Sequence, residues 1–327
     1  MAYERSTRAA AGVFQDDDRT IACYEGFSFA IWVLFAHHRA VLDGVLLLWF
    51  VLTAGSLAFV VYDSATNTPV SWVQKLAWVL VVFYTGPVGL FFYLLACRSP
   101  GPGMHEAFTA APWKQALNSE MHCLAGDATG IVLAAVVVSF FDLPNGWDIA
   151  IEYLSAFVVG LLVFQALMMR SMYGGNYGVA VRKTFFAETV SMNMVMVGMI
   201  PVMVILMHYI PEARKPTELG FWWVMGMAAI VGGITAYPIN AWLVRNHLKH
   251  GCMTLPEGSA EADAASDMKM GDMDMSGAEM GDMDMGEMEM GTISIGRSTT
   301  IVLATFAVML AAAWVTSEFV APIEFTR

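Results

Sequence analysis

Seven stretches of this chain are each about twenty residues long and almost wholly apolar, the length that crosses the hydrocarbon core of a bilayer as a helix. They run Ala40–Tyr62, Val73–Cys97, Leu117–Phe140, Ile149–Met169, Phe185–Tyr209, Leu219–Val244 and Thr299–Val320. Lipid offers backbone amides no partner, so such segments must pair their own N–H and C=O groups, which favours helices. With 57% hydrophobic and 14% charged residues, most of the chain has no use for water. The expected fold is all-α, a polytopic membrane helix bundle of about seven transmembrane helices with the lipid bilayer as its first partner. Potential breakers lie within the spans: Gly86-Pro87 in the second, Pro201 in the fifth, Gly232-Gly233 and Pro238 in the sixth. Residues Phe27–Ala36 are apolar but too short to span, and read as an in-plane or buried segment.

Charge sets an expected orientation. Outside the spans, thirteen Lys and Arg fall on the side of the N-terminus and four on the other, which the positive-inside rule reads as N-terminus cytoplasmic and C-terminus outside. That places the chain in an inner or plasma membrane as a multi-pass protein. The N-terminus, polar and mixed in charge, lacks the pattern of a secretory signal. The formal charge of −12 is local, since eight acids lie between Asp267 and Met290, and no basic surface for nucleic acid is present. Six of the seven histidines and all four cysteines lie on or near the cytoplasmic side, with Asp43, Glu120, Asp127, Glu188 and Asn240 in the same leaflet. Ionisable groups at that depth are costly and face a bundle interior or a watered cavity, so a polar vestibule is expected.

The segment Asp267–Met290 reads DMKMGDMDMSGAEMGDMDMGEMEM. It has no apolar face at a period of 3.6 or 2.0, so it is expected to be a mobile loop. A solvated chain has no packing use for the thioethers of Met268, Met270, Met273, Met275, Met280, Met283, Met285, Met288 and Met290. Thioethers are soft ligands that select Cu(I), and copper is the expected cofactor or cargo; an acidic spacer is the bland alternative.

Three span ends could contribute further ligands. At 100° per residue, Glu120, Cys123 and Asp127 share one face of the third span, while His122 points towards a different neighbour. In the fifth span Met192, Met196, Met199 and Met203 form a stripe one turn after Glu188, either a thioether ladder or ordinary packing. The sixth span ends TAYPINAWLVRNHLKHGCM. If its helix continues to a stop at Gly251, His247 and His250 can reach one ion, with Cys252 and Met253 following. The bland alternative is a pair of histidines at the headgroup level near Arg245 and Lys249. The cysteines show no CxxC spacing, so neither a disulfide framework nor a zinc ribbon is indicated. The last span has no lysine for a retinal Schiff base, and no P-loop, GxSxG or HExxH occurs.

Three blocks, Glu120–Asp127, Ser191-Met192-Asn193 with Gly198–Pro201, and Tyr237–Asn240 with Asn246–Gly251, occur in order. Over about residues 113–253 the chain resembles the DUF4396 family of bacterial and archaeal membrane proteins. The resemblance implies a multi-span helical domain with a loose link to copper, and supplies no catalytic residues. The expected organisation is a segment 1–39, two spans in 40–112, a four-helix membrane domain 113–253, a Met-rich loop 254–298 and a last helix in 299–327. The expected function is copper handling, with capture by the loop and transfer to the His/Cys site; translocation, storage and delivery to a copper-dependent membrane or periplasmic enzyme are equally open continuations. An accessory subunit of a membrane complex is one alternative; a proton-coupled carrier or oxidoreductase using Glu120, Asp127 and Glu188 is the other.

Overall fold

The computed structural model describes residues 43–141, 143–170, 173–252, 254 and 293–326. The N-terminal segment, Met253 and the nine methionines of the Asp267–Met290 stretch lie outside the described residues. Two compact units divide the chain, Met1–Phe50 and Val51–Arg327. Of the first, the described residues form the opening turns of a helix. The second holds the bundle, and everything below concerns it.

The elements are all helical. They are α1 (Asp43–Thr66), α2 (Trp72–Thr85), α3 (Pro87–Ala96), a short α4 (His105–Thr109), α5 (Pro112–Val138), α6 (Asn145–Met169), α7 (Tyr177–Tyr209), α8 (Leu219–Arg245) and α9 (Ile295–Phe319). Among the described residues six of these, α1 and α5 to α9, are long and apolar enough to cross a membrane.

The expected second span is instead two short helices, a correction with a local cause. Gly86 sits at φ 56°, ψ −131°, a conformation that side chains resist, and Pro87 opens α3 at its first turn. Pro201 and Pro238, by contrast, lie inside unbroken helices. The residues before them are not glycines in the left-handed region, and packed neighbours hold the chain helical. A second correction concerns α8. It ends at Arg245, not at Gly251, because His247 takes φ 55° and turns the chain out of the helix. Residues 246–252 therefore form a non-helical strap.

Small residues let the central helices approach closely. A Cβ on Gly130 of α5 would stand 2.5 Å from the Ala156 Cα of α6, and one on Gly198 of α7 would stand 2.7 Å from the Val231 O of α8. Gly232 returns the second contact, with Val195 O at 3.0 Å. Such crossings replace the hydrophobic drive that lipid does not supply. Polar stitches add to them: Tyr153 donates to Asn193 Oδ1 at 2.8 Å, and Asn193 donates to Thr305 of α9 at 3.0 Å. At the end of α1, Asp63 accepts from Tyr93 at 2.8 Å and from Arg98 at 3.1 Å.

Gly130→Val or Gly198→Val should therefore lower the unfolding midpoint of the detergent-solubilised protein, at an overpacking cost of about 1–3 kcal/mol each. Gly55→Ala, where an added Cβ meets nothing within 4 Å, should leave the midpoint unchanged when both are followed by helical circular dichroism.

Candidate functional site

The strap carries Lys249 back into the bundle, where it is 5% exposed. Its Nζ stands 2.7 Å from Cys123 Sγ of α5, 2.7 Å from Asn240 Oδ1 of α8 and 3.3 Å from Ser191 Oγ of α7. An ammonium has three N–H donors and no acceptor, so three acceptors from three helices match it completely. The Ser191 hydroxyl itself donates to Asn240 Oδ1 at 3.0 Å. The Cys123 thiol in turn donates to Glu188 Oε2 of α7 at 2.8 Å, and its sulfur accepts from Gln165 of α6 at 3.0 Å. One thiol thus stands between a cation and a carboxylate.

The carboxylates around it are less well served. Glu188 Oε1 and both oxygens of Asp127 are buried and make no hydrogen bond. Both residues are fully enclosed, at 0% exposure. They converge on Gly160, where a Cβ would overlap Glu188 Oε1 and lie 2.9 Å from Asp127 Oδ1. Gly160 begins a π-helical stretch, Gly160–Gln165, within α6. An expanded turn of this kind is commonly found at functional sites. Here its two ends supply the room for the carboxyls and the Gln165 amide. Glu120, also buried with both oxygens unpaired, lines a separate groove of about 510 Å³ between α2, α3, α5 and α8.

A second constellation lies at the far end of the strap. The ligand atoms of Cys97, His105 and Cys252 all fall within 4.8 Å of one another, and all three residues are buried. They come from the ends of α3, α4 and the strap. His105 Nε2 lies 2.9 Å from Cys97 O and 3.9 Å from Cys252 Sγ, while its Nδ1 lies 2.7 Å from Thr254 Oγ1. Gln115 donates to Cys252 O at 3.2 Å and to Thr109 O at 2.9 Å. Gly251 presses on the Gln115 backbone so closely that a Cβ would stand 2.7 Å from its Cα. The glycine serves this close approach and is not a helix stop. Hydrogen bonding by Cys97, then by His105 and Gln74, outweighs burial and brings the Cys252 thiol down to about 6. Cys252 is then a thiolate at neutral pH, the form that binds metal.

The structure redistributes the expected site residues. It joins Cys123 to Glu188, with Asp127 beside them, but places His122 outside their hydrogen-bond network, buried with neither ring nitrogen bonded. His247 is exposed and His250 half-buried, and since α8 ends before them they do not present two ligands from one helix face. Burial, then the neighbouring His247, lowers the His250 pKa. Met192, Met196, Met199 and Met203 all lie in the apolar core, where each packs among hydrophobic neighbours. Among the described residues Cys252 does enter a cluster, with Cys97 and His105 in place of His247 and His250. Lys249, Gln165 and Gly160 escaped the sequence reading. A lysine four residues past the last residue of α8, in the same sequence block as Asn240, is the hint that the chain itself offers.

Together these features define a polytopic helical membrane protein with a buried polar cluster at the centre of its bundle. Residues 112–249 match the family model described as a domain of unknown function, DUF4396. The match begins with α5 and ends on Lys249; it contains Cys123, Asp127 and Glu188 but not Cys97, His105 or Cys252. No curated protein and no solved structure matches the chain.

The thiolate absorbance of Cys252, taken as wild type minus Cys252→Ser, should persist below the ordinary thiol range and fade as pH falls through about 6. In Cys97→Ala, which removes the largest stabilising contact, the transition should move to higher pH. A wild-type transition at the ordinary thiol position of about 8.5 would show that Cys97 and His105 do not act on Cys252.

Proposed function

We propose that this protein handles copper(I) in a plasma membrane, holding the ion at Cys97, His105 and Cys252 and exchanging it with the methionine-rich stretch Asp267–Met290. The observation that carries this reading is the convergence of two sulfurs and an imidazole from three separate elements within 4.8 Å. Two thiols and one imidazole form a soft three-donor set, which suits Cu(I). The thiolate character of Cys252 lowers the proton competition that an entering ion must meet. Cys252 also stands fifteen residues before Asp267, so the thioethers follow the site closely in the chain. Rigid donors favour tight binding of one ion, whereas a thioether segment whose sequence offers no apolar face would have to order itself on binding, at about 1–2 kcal/mol of backbone entropy per residue. The two parts thus suit a tight site and a weak, fast-exchanging store, from which a copper-dependent enzyme could be supplied.

Protein purified without chelator should carry copper on elemental analysis. In competition with a chromogenic Cu(I) chelator, the Cys97→Ser, Cys252→Ser double variant should lose the tightest binding class by about 100-fold or more, since even outer-shell changes cost 10–100-fold. A His247→Ala, His250→Ala variant should keep that class. Deleting Asp267–Met290 should remove weak binding only and leave the fold intact. Equal tight binding by wild type and the double cysteine variant would remove this proposal.

A further inference from the structure

We propose that Asp127 and Glu188 together hold one exchangeable proton in the membrane interior, with Lys249 as their fixed counter-charge, so that the cluster is a proton-binding site. The argument is one of charge and geometry. Lys249 meets three acceptors, as an ammonium requires, and so contributes one positive charge to a buried volume. Burying a charge is tolerable only beside its opposite, and one carboxylate suffices. Glu188 is placed to be that carboxylate, because Oε2 accepts from the Cys123 thiol whose sulfur accepts from Lys249. Asp127 has no donor at either oxygen, and its Oδ1 converges with Glu188 Oε1 on Gly160. A second negative charge there would face the first in a medium of low dielectric, with no donor at its oxygens and only the single Lys249 charge, already matched by the first carboxylate, to offset both. The second carboxyl is therefore protonated.

The surrounding groups fit this assignment. From α5 the titratable neighbours are Cys123, Glu120 and His122, and the Lys249 charge acts on all three as well as on Asp127. From α6 Tyr153 feels Asp127, while its hydroxyl is committed to Asn193. From α7 there is Glu188 itself, and α8 contributes the neutral Asn240 amide. The ammonium stands on the strap, not on a helix, and the strap has a left-handed residue at His247. A proton held between two carboxyls inside a bundle, beside a lysine on a non-helical tether, is what proton-coupled transport requires of its interior site. The site stands apart from Cys97, His105 and Cys252, and holds whether or not they take metal.

The test is infrared spectroscopy of the full-length, metal-stripped protein in nanodiscs at neutral pH. Wild type should show the carbonyl stretch of a buried protonated carboxyl that moves to lower frequency in D₂O. Asp127→Asn should remove that component, and so should Glu188→Gln, because Asp127 then ionises as the partner of Lys249. Lys249→Met removes the counter-charge, and the component should roughly double as both carboxyls protonate. Glu120 is buried and unpaired as well, so Glu120→Gln should remove only a separate protonated-carboxyl component and leave the one that Asp127→Asn removes. Replacing choline with sodium should also leave it in place; its loss on adding sodium would mean a metal-cation site and overturn the proposal. A wild-type spectrum with no D₂O-sensitive protonated carboxyl overturns it without recourse to any variant. So does an unchanged spectrum in Asp127→Asn or Lys249→Met, provided that each variant is monodisperse with wild-type helicity.

Discussion

A lysine ammonium in the middle of a helix bundle imposes conditions on everything around it. It needs three acceptors and a negative partner, and in an apolar medium water cannot stand in for either. Here the acceptors come from α5, α7 and α8, and the negative charge is reached through the Cys123 thiol. Those helices must approach within side-chain reach of one point, which Gly198 and Gly232 permit between α7 and α8, while Gly130 brings α6 close to α5. The π-helical stretch of α6 answers the same demand. It turns Gln165 towards Cys123 and presents a glycine where two carboxyls would otherwise meet a Cβ.

The strap after α8 is the element that both constellations share. Lys249 anchors it in the interior, and three residues later Cys252 meets Cys97 and His105. Between them Gly251 and the Gln115 amide clamp it to the start of α5. The segment that matches DUF4396 stops at Lys249, so it contains the carboxyl–lysine cluster and excludes the thiol–imidazole one. The two sites thus differ in how they relate to the family: one lies within the shared domain, the other is built from the flanks of this chain.

The apolar stretches and their helical conformation were plain in the sequence because lipid leaves a backbone no alternative. Five of the seven expected spans lie almost wholly within long helices at nearly their expected bounds, and α1 covers most of the first. The importance of Cys123, Asp127 and Glu188 was also legible, since thiols and acids within apolar runs are costly and stand out. What was not legible was their company. Lys249 follows Arg245 near the end of a span, and local reading places such a charge at the headgroups. The trio escaped for another reason: His105 and Cys252 are 147 residues apart, and no spacing rule links them.

The sequence by itself determined a helical membrane protein, its polar residues within the spans and its acidic, thioether-rich stretch, because composition and apolar length are properties of a chain taken one segment at a time. Tertiary structure alone decided where α8 stops, which way the strap turns and which groups meet. A left-handed residue at His247 replaces the helical continuation, and with it the expected histidine pair gives way to Lys249 inside the bundle and Cys252 beside Cys97 and His105. That choice belongs to packing: an ammonium satisfied by three helices at once exists only when all three are assembled.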